Sequence, residues 1–286
     1  MRVQTGSRRR GLVGAVLALG VGLVSVLIGP ATPAQAIPAP VGVSATSAVN
    51  AASPKFAVVA CPAGLAVYGA GGTVNGGAGN VVMSDVIPTL GTVTVWGIEV
   101  AAFAANWSVT AYAICGPPTG NVVIANSTAA NAASPKTVTA ACPAGMRLYG
   151  TGYELQGANG QVFPSLVQPN AALTNVTVGA VAHGGFAGAW SLTAYGICAA
   201  PAGFMQLVTA SSPANAAAPK GIVTPACPGA TNVHGVGAAI SGGLGDVLLE
   251  TMAPSTGALI AGEAEADEYA PVGANWAVTS YAICSS

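Results

Sequence analysis

Three acidic residues alternate in the stretch GEAEADEY, Gly262–Tyr269. On an extended strand Glu263, Glu265 and Asp267 fall on one face, and hard cations such as calcium take several oxygen ligands of this kind. The competing reading, which we prefer, is a solvated acidic edge that discourages pairing with another sheet. Elsewhere the chain is poor in groups that do chemistry. Its two histidines, His183 and His234, stand at places that do not correspond to one another. There is no GxSxG elbow, no HExxH helix, no phosphate loop and no nucleophile spaced with a base. Asp85 and Glu99 have no strict counterparts one repeat further on. A non-catalytic protein without cofactor is expected.

Residues suited to holding a ligand are aromatic or lie in turns. Trp107, Trp190 and Trp276 recur at matching places, and exposed aromatic rings on a sheet can stack on sugars. Each also shares a strand face with a cysteine, which favours a core tryptophan beside a disulfide, as in immunoglobulin-like sandwiches. Trp96 has no counterpart and is expected at the surface. Glycine-rich turns at Asn75–Val81, Gln156–Val162 and Ser241–Val247 end in Asn80, Gln161 and Asp246. These glycines suit positive φ, and the three polar residues form a candidate set of repeated ligand sites.

These residues are placed by a threefold internal repeat. The hexapeptide NAASPK occurs at Asn50–Lys55 and Asn131–Lys136 and returns as NAAAPK at Asn215–Lys220, and these copies hold every lysine of the chain. Cys61, Cys142 and Cys227 open each unit in CPAG, CPAG and CPGA; Cys115, Cys198 and Cys284 close NWSVTAYAIC, AWSLTAYGIC and NWAVTSYAIC. Short segments rich in Val, Thr, Ile and Tyr, bounded by Gly, Pro and Asn, read as strands throughout. In the closing strand Trp107, Val109, Ala111, Ala113 and Cys115 fall on one face. The fold class is therefore all-β, with three tandem β-sandwich-like repeats over 37–118, 119–203 and 204–286. Repeat symmetry favours the pairs Cys61–Cys115, Cys142–Cys198 and Cys227–Cys284, one per unit. Links between neighbouring units would instead leave Cys61 and Cys284 to close a ring. Each within-unit bridge would enclose more than 50 residues, worth about 3–4 kcal/mol in the chain-entropy model. The lysines read as solubilising guards at the entry of an exposed strand, or else as anchors for a ligand. The extra residue between Lys220 and Cys227 suggests a bulge near Pro225.

Residues 1–36 combine Arg2, Arg8, Arg9 and Arg10, an apolar run from Gly11 to Ile28, and the small-residue site Ala34-Gln35-Ala36, the order of a secretory signal peptide. Its removal leaves four basic against nine acidic residues, a net charge of −5, which excludes the basic surface that nucleic acid requires. No later stretch is apolar for long enough to span a bilayer. The mature chain is expected to be secreted, free or loosely held at the cell surface, in an oxidising compartment.

The CPAG openings and the W-x-[VL]-x-[AS]-Y-x-I-C endings resemble secreted actinobacterial proteins built from such repeats, a resemblance that implies origin and secretion and carries no catalytic residues. The endings FAANWSVTAYAIC and FAGAWSLTAYGIC are also similar to the gF…W…A pattern of small six-stranded lectin sandwiches of the H type. The expected function is an extracellular binding or surface protein for glycan or cell-envelope ligands. The alternatives are a structural or coat protein that self-associates through low-charge surfaces, or a secreted enzyme inhibitor.

Overall fold

The computed structural model describes residues 39–255 and 259–286; the expected signal peptide lies outside them. Among the described residues all regular structure is β. The first repeat forms β1 (Val41–Thr46), β2 (Lys55–Ala60), β3 (Ala66–Asn75), β4 (Val81–Pro88), β5 (Thr92–Glu99) and β6 (Ser108–Gly116). The second forms β7 (Val122–Ser127), β8 (Lys136–Ala141), β9 (Arg147–Gln156), β10 (Val162–Pro169), β11 (Asn175–Ala182) and β12 (Ser191–Ala199). The third forms β13 (Met205–Ser211), β14 (Lys220–Val223), β15 (Asn232–Ser241), β16 (Val247–Pro254), β17 (Gly262–Glu268) and β18 (Ala277–Ser285).

Each repeat packs two three-stranded antiparallel layers face to face; in the first they are β1-β6-β3 and β4-β5-β2. The period-2 pattern works as expected, since Trp107, Val109, Ala111, Ala113 and Cys115 are all buried. They meet Ala57, Val59, Val93 and Val95 from the opposite layer. The glycine-rich turn after β3 crosses from one layer to the other, so it is an arch between sheets and not a hairpin. Ala78, Gly76 and Gly79 take the positive φ that such a turn needs. Cys61–Cys115, Cys142–Cys198 and Cys227–Cys284 are bonded, one bridge per repeat, and tie the two layers together.

The repeats do not stand as separate beads. Each layer continues into a neighbour, giving three six-stranded sheets in the orders β1-β6-β3-β16-β17-β14, β13-β18-β15-β10-β11-β8 and β2-β5-β4-β9-β12-β7. The first repeat thus shares one sheet with the third and the other with the second, and the second and third share the last. The ring closes. Its junctions pair Thr73 with Thr251, Tyr153 with Val86 and Ala239 with Leu166.

At the centre of the ring three backbones meet. Tyr68, Tyr149 and His234 occupy matching bulge positions and pack edge to face, with ring centroids 5.2, 5.7 and 5.6 Å apart. The glycine that follows each, Gly69, Gly150 or Gly235, abuts the backbone of the next repeat. A side-chain carbon there would overlap the carbonyl oxygen of His234, Tyr68 or Tyr149 in turn. A second small core on the same seam holds Val82, Phe163 and Leu248, again at matching positions.

The lysines depart from the expectation. Lys55, Lys136 and Lys220 are 9, 6 and 7 % exposed and point inward from the first residue of their strands. Lys55 Nζ lies 4.0 Å from the centroid of Trp107 and donates to the carbonyls of Asn50 and Trp107, each at 2.6 Å. Lys136 does the same with Trp190 and Asn131 and also reaches the Ala129 carbonyl; Lys220 lies over the Trp276 ring and donates to the carbonyl and side-chain oxygens of Asn215. Burial pulls the Lys55 and Lys136 amines below the ordinary lysine range; at Lys55 the Glu99 carboxylate works against that pull. The parity of the strand explains the error: Lys55 is in phase with Ala57 and Val59, which are buried, and not with Phe56 and Val58, which are exposed. The extra residue after Lys220 is taken up beyond β14, near Pro225. β14 pairs regularly with β17 and Thr224 N–H still meets the Gly262 carbonyl, but Cys227 N–H meets that of Ile260, so three steps on one strand face two on the other.

The central glycines give a direct test. Gly150→Ala must push apart two backbones, so its unfolding free energy should drop by at least 2–3 kcal/mol. Gly91→Ala, which meets nothing within 4 Å, should change it by less than about 0.5 kcal/mol. Denaturant titration of both variants checks the difference.

Candidate functional site

The outer face of the sheet shared by the first and second repeats differs from its two counterparts. On β2 the residues that alternate with the buried ones are Phe56 and Val58, 51 and 46 % exposed. β2 is an edge strand whose partner β5 places Trp96 directly opposite Phe56. The two rings lie with centroids 4.6 Å apart and planes inclined at 33°. Gly97, the neighbour of Trp96, faces inward against the Trp107 ring, so Trp96 is turned outward by the pleat. Trp96 is half-buried and Phe56 exposed. The result is a small aromatic platform on a flat sheet.

Polar groups continue the row. Asp85 on β4 stands opposite Trp96. Its carboxylate accepts from the Ser84 hydroxyl at 2.7 Å and from the backbone N–H of Leu155, in the second repeat, at 2.8 Å. Beside Leu155 on β9, Glu154 accepts from the Tyr195 hydroxyl at 2.6 Å and from the Gln156 amide at 2.9 Å. An aromatic pair, two carboxylates and a tyrosine hydroxyl therefore cross the boundary between two repeats. The equivalent positions of Phe56 and Trp96 are Thr137 and Gly179 in the second repeat and Gly221 and Glu265 in the third, so no other face carries the platform.

The other sequence candidates fall elsewhere. Trp107, Trp190 and Trp276 are core residues, at most 1 % exposed. Asn80 caps its own turn, with its amide on the Ala78 carbonyl at 2.8 Å. Gln161 reaches the first repeat and donates to the Val100 carbonyl at 2.7 Å. Asp246 lies 3.3 Å from His183 Nδ1, which donates to the Gly245 carbonyl at 2.6 Å. The three turn tips rest against the neighbouring repeat, and the structure does not gather these residues with one another or with Trp96.

Glu263, Glu265 and Asp267 do share the outer face of a strand, but β17 is paired on both sides and is not an edge. Among the described residues no group of three or more His, Cys, Asp or Glu side chains could hold a metal ion. Their notable neighbour is Glu250, a bulge residue of β16 that accepts the Gly79 N–H of the first repeat at 2.9 Å. His234 is buried in the central ring cluster, and burial holds it below the usual histidine range.

Phe56 is not among the sequence candidates: it follows the repeated hexapeptide directly, in a segment whose repeat pattern marks only the lysine. Its signal was present in the comparison KFAVVA, KTVTAA and KGIV, where only the first copy puts an aromatic side chain on the solvent parity. No protein-family model matches the chain, and no curated protein matches it either. Among the described residues no helix is long and apolar enough to cross a membrane.

The carboxylates generate a pH prediction. Burial pushes the Asp85 carboxyl up to about 6, although its two hydrogen bonds resist the change. Burial likewise lifts Glu250 to about 7, with Asp267 and Glu265 adding to it. A carboxyl that titrates higher in the folded chain than in the unfolded one binds extra protons when folded, so stability falls as pH rises from about 4 to about 7. Asp85→Asn keeps an acceptor for Leu155 and should remove on the order of 2–3 kcal/mol of that decline; Glu250→Gln should act similarly. Urea titrations across this range would show it, and a double variant as pH-dependent as the parent would contradict it.

Proposed function

We propose that the protein is an exported, non-catalytic binding protein that recognises carbohydrate of glycan or cell-envelope origin on the face shared by its first two repeats. The observation that carries this reading is the outward-turned Phe56–Trp96 pair in line with Asp85, Glu154 and Tyr195. Aromatic rings present a wide apolar surface at little conformational cost. A sugar ring offers an apolar C–H face to such a surface and hydroxyl donors at its rim, for which the half-buried Glu154 is the accessible acceptor. An exposed apolar patch bordered by polar groups is the usual mark of an interaction site. Export is supported by the signal-like residues 1–36 and by three disulfides, which persist in oxidising surroundings.

The competing reading is assembly of identical chains, favoured by the position of Phe56 and Val58 on the edge strand β2. Sedimentation separates the two, since a carbohydrate-binding protein should stay monomeric at concentrations where a coat protein associates. Glycan-array screening of the oxidised protein, followed by calorimetry on the best ligand, should yield binding that Trp96→Ala and Phe56→Ala each weaken by about 10-fold or more. Both side chains are partly exposed, so their removal should leave the unfolding transition nearly unchanged. Tight binding that neither substitution weakens would overturn the placement, and a properly folded protein that binds no glycan or wall fraction would overturn the reading itself.

A further inference from the structure

The three repeats are not equal at the base of their buried tryptophans. In the first, Trp107 Nε1 donates to Glu99 Oε1 at 2.9 Å, and Glu99 Oε2 accepts the backbone N–H of Phe103 at 3.2 Å. In the third, Trp276 Nε1 donates to Glu268 at 2.7 Å, and the second oxygen of Glu268 accepts the N–H of Val272 at 3.0 Å. The same carboxylate is thus held twice between an indole and a loop amide. Both glutamates are only half-buried, so these seats open towards solvent.

In the second repeat the glutamate is replaced by Ala182. The correspondence is secure, because the N–H of Ala182 donates to Ser134 just as that of Glu99 donates to Ser53. Trp190 is wholly buried, and its Nε1 has no acceptor within reach. A buried N–H left in this state costs about 1–3 kcal/mol. Lys136 stands over the same indole, 4.3 Å from its centroid. Glu99 supports the charge of Lys55, but no carboxylate does so for Lys136.

The loop has changed with the loss of the acid. Residues Ala101, Ala102 and Ala105 of the first repeat, and Ala270, Pro271 and Ala274 of the third, correspond to Gly184, Gly185 and Gly188. Gly184 and Gly185 hold positive φ and have open space around them. The N–H of Phe186, counterpart of the two loop amides that bind carboxylate, donates instead to the His183 carbonyl at 2.9 Å. A glycine loop can give up such a turn more readily than one built of alanine and proline.

We propose that the second repeat is a binding site for an external carboxylate, which takes the place that Glu99 and Glu268 fill in the sister repeats. Trp190 Nε1–H is its first donor, and Phe186 N–H, released from His183, is its second. Lys136 supplies the favourable charge. The ligand class is a carboxylate on a small or terminal group, with a sugar acid or a simple organic acid as its source. The site is separate from the aromatic face and does not depend on it.

The test uses the oxidised full-length mature protein labelled with ¹⁵N, in which each tryptophan gives one indole N–H signal and Trp190→Phe identifies that of Trp190. Sodium acetate, sodium glucuronate and neutral methyl glucoside are titrated against sodium chloride at matched ionic strength. The Trp190 signal should move downfield and saturate with acetate and glucuronate, with a dissociation constant on the order of 1–10 mM, while Trp107 and Trp276 stay still. Equal affinities identify a bare carboxylate as the determinant; a glucuronate affinity about 10-fold higher identifies a sugar acid. Ala182→Glu should place the signal downfield from the start and abolish the response. A Trp190 signal indifferent to acetate and glucuronate, or one that follows methyl glucoside equally, would overturn the proposal whether or not that variant folds.

Discussion

The closest constraint in the molecule is the meeting of three backbones at the centre of the ring. Gly69, Gly150 and Gly235 each bring their strand within reach of a carbonyl from the next repeat. Only a residue without a side chain permits that approach. The bulges that precede them turn Tyr68, Tyr149 and His234 towards one another. Because the strands come this close, each three-stranded layer can continue into a neighbour, and the candidate face across the first and second repeats exists only through that continuation. Asp85 illustrates the dependence: it lies in one repeat, and the amide that orients it lies in the other.

Positive charge is used sparingly, and its three lysines lie inside. At one end of each sandwich a disulfide joins the layers; at the other a lysine does so without a covalent bond. A buried ammonium is costly unless its donors are filled, and its three N–H bonds suit carbonyls converging from several directions. A planar guanidinium would present its donors in a fixed fork instead. The hexapeptide recurs because its asparagine, its cis proline and its lysine form one closed turn, in which the lysine returns to the asparagine carbonyl and reaches the tryptophan of the closing strand.

Much of this was legible in the residues. Alternation along the closing strands identified the buried tryptophans, and repeat symmetry identified the three disulfides. Trp96 breaks the repeat, and that alone points it to the surface. Three things were not legible, for physical reasons. Strand pairing between repeats depends on contacts far apart in sequence, and each unit looks self-sufficient when its own pattern is read. The lysines were placed outside because charge outweighed parity, although their phase with Ala57, Val59, Val138 and Ala140 pointed inward. Phe56 and Glu154 meet the row around Trp96 only through the sheet, and no spacing rule links positions 56, 96 and 154.

The closed order of the sheets has a bearing on how such a chain can change over generations. In an open stack, repeats contact only their neighbours and can be added or lost at an end. Here every repeat lends half its strands to one neighbour and borrows half a sheet from the other. Deleting one unit would leave two bare sheet edges in the protein's interior, and inserting a fourth would find no place around a centre sized for three side chains. Sequence drift within each unit is free to make one face aromatic, another acidic and a third plain, but the count is locked at three.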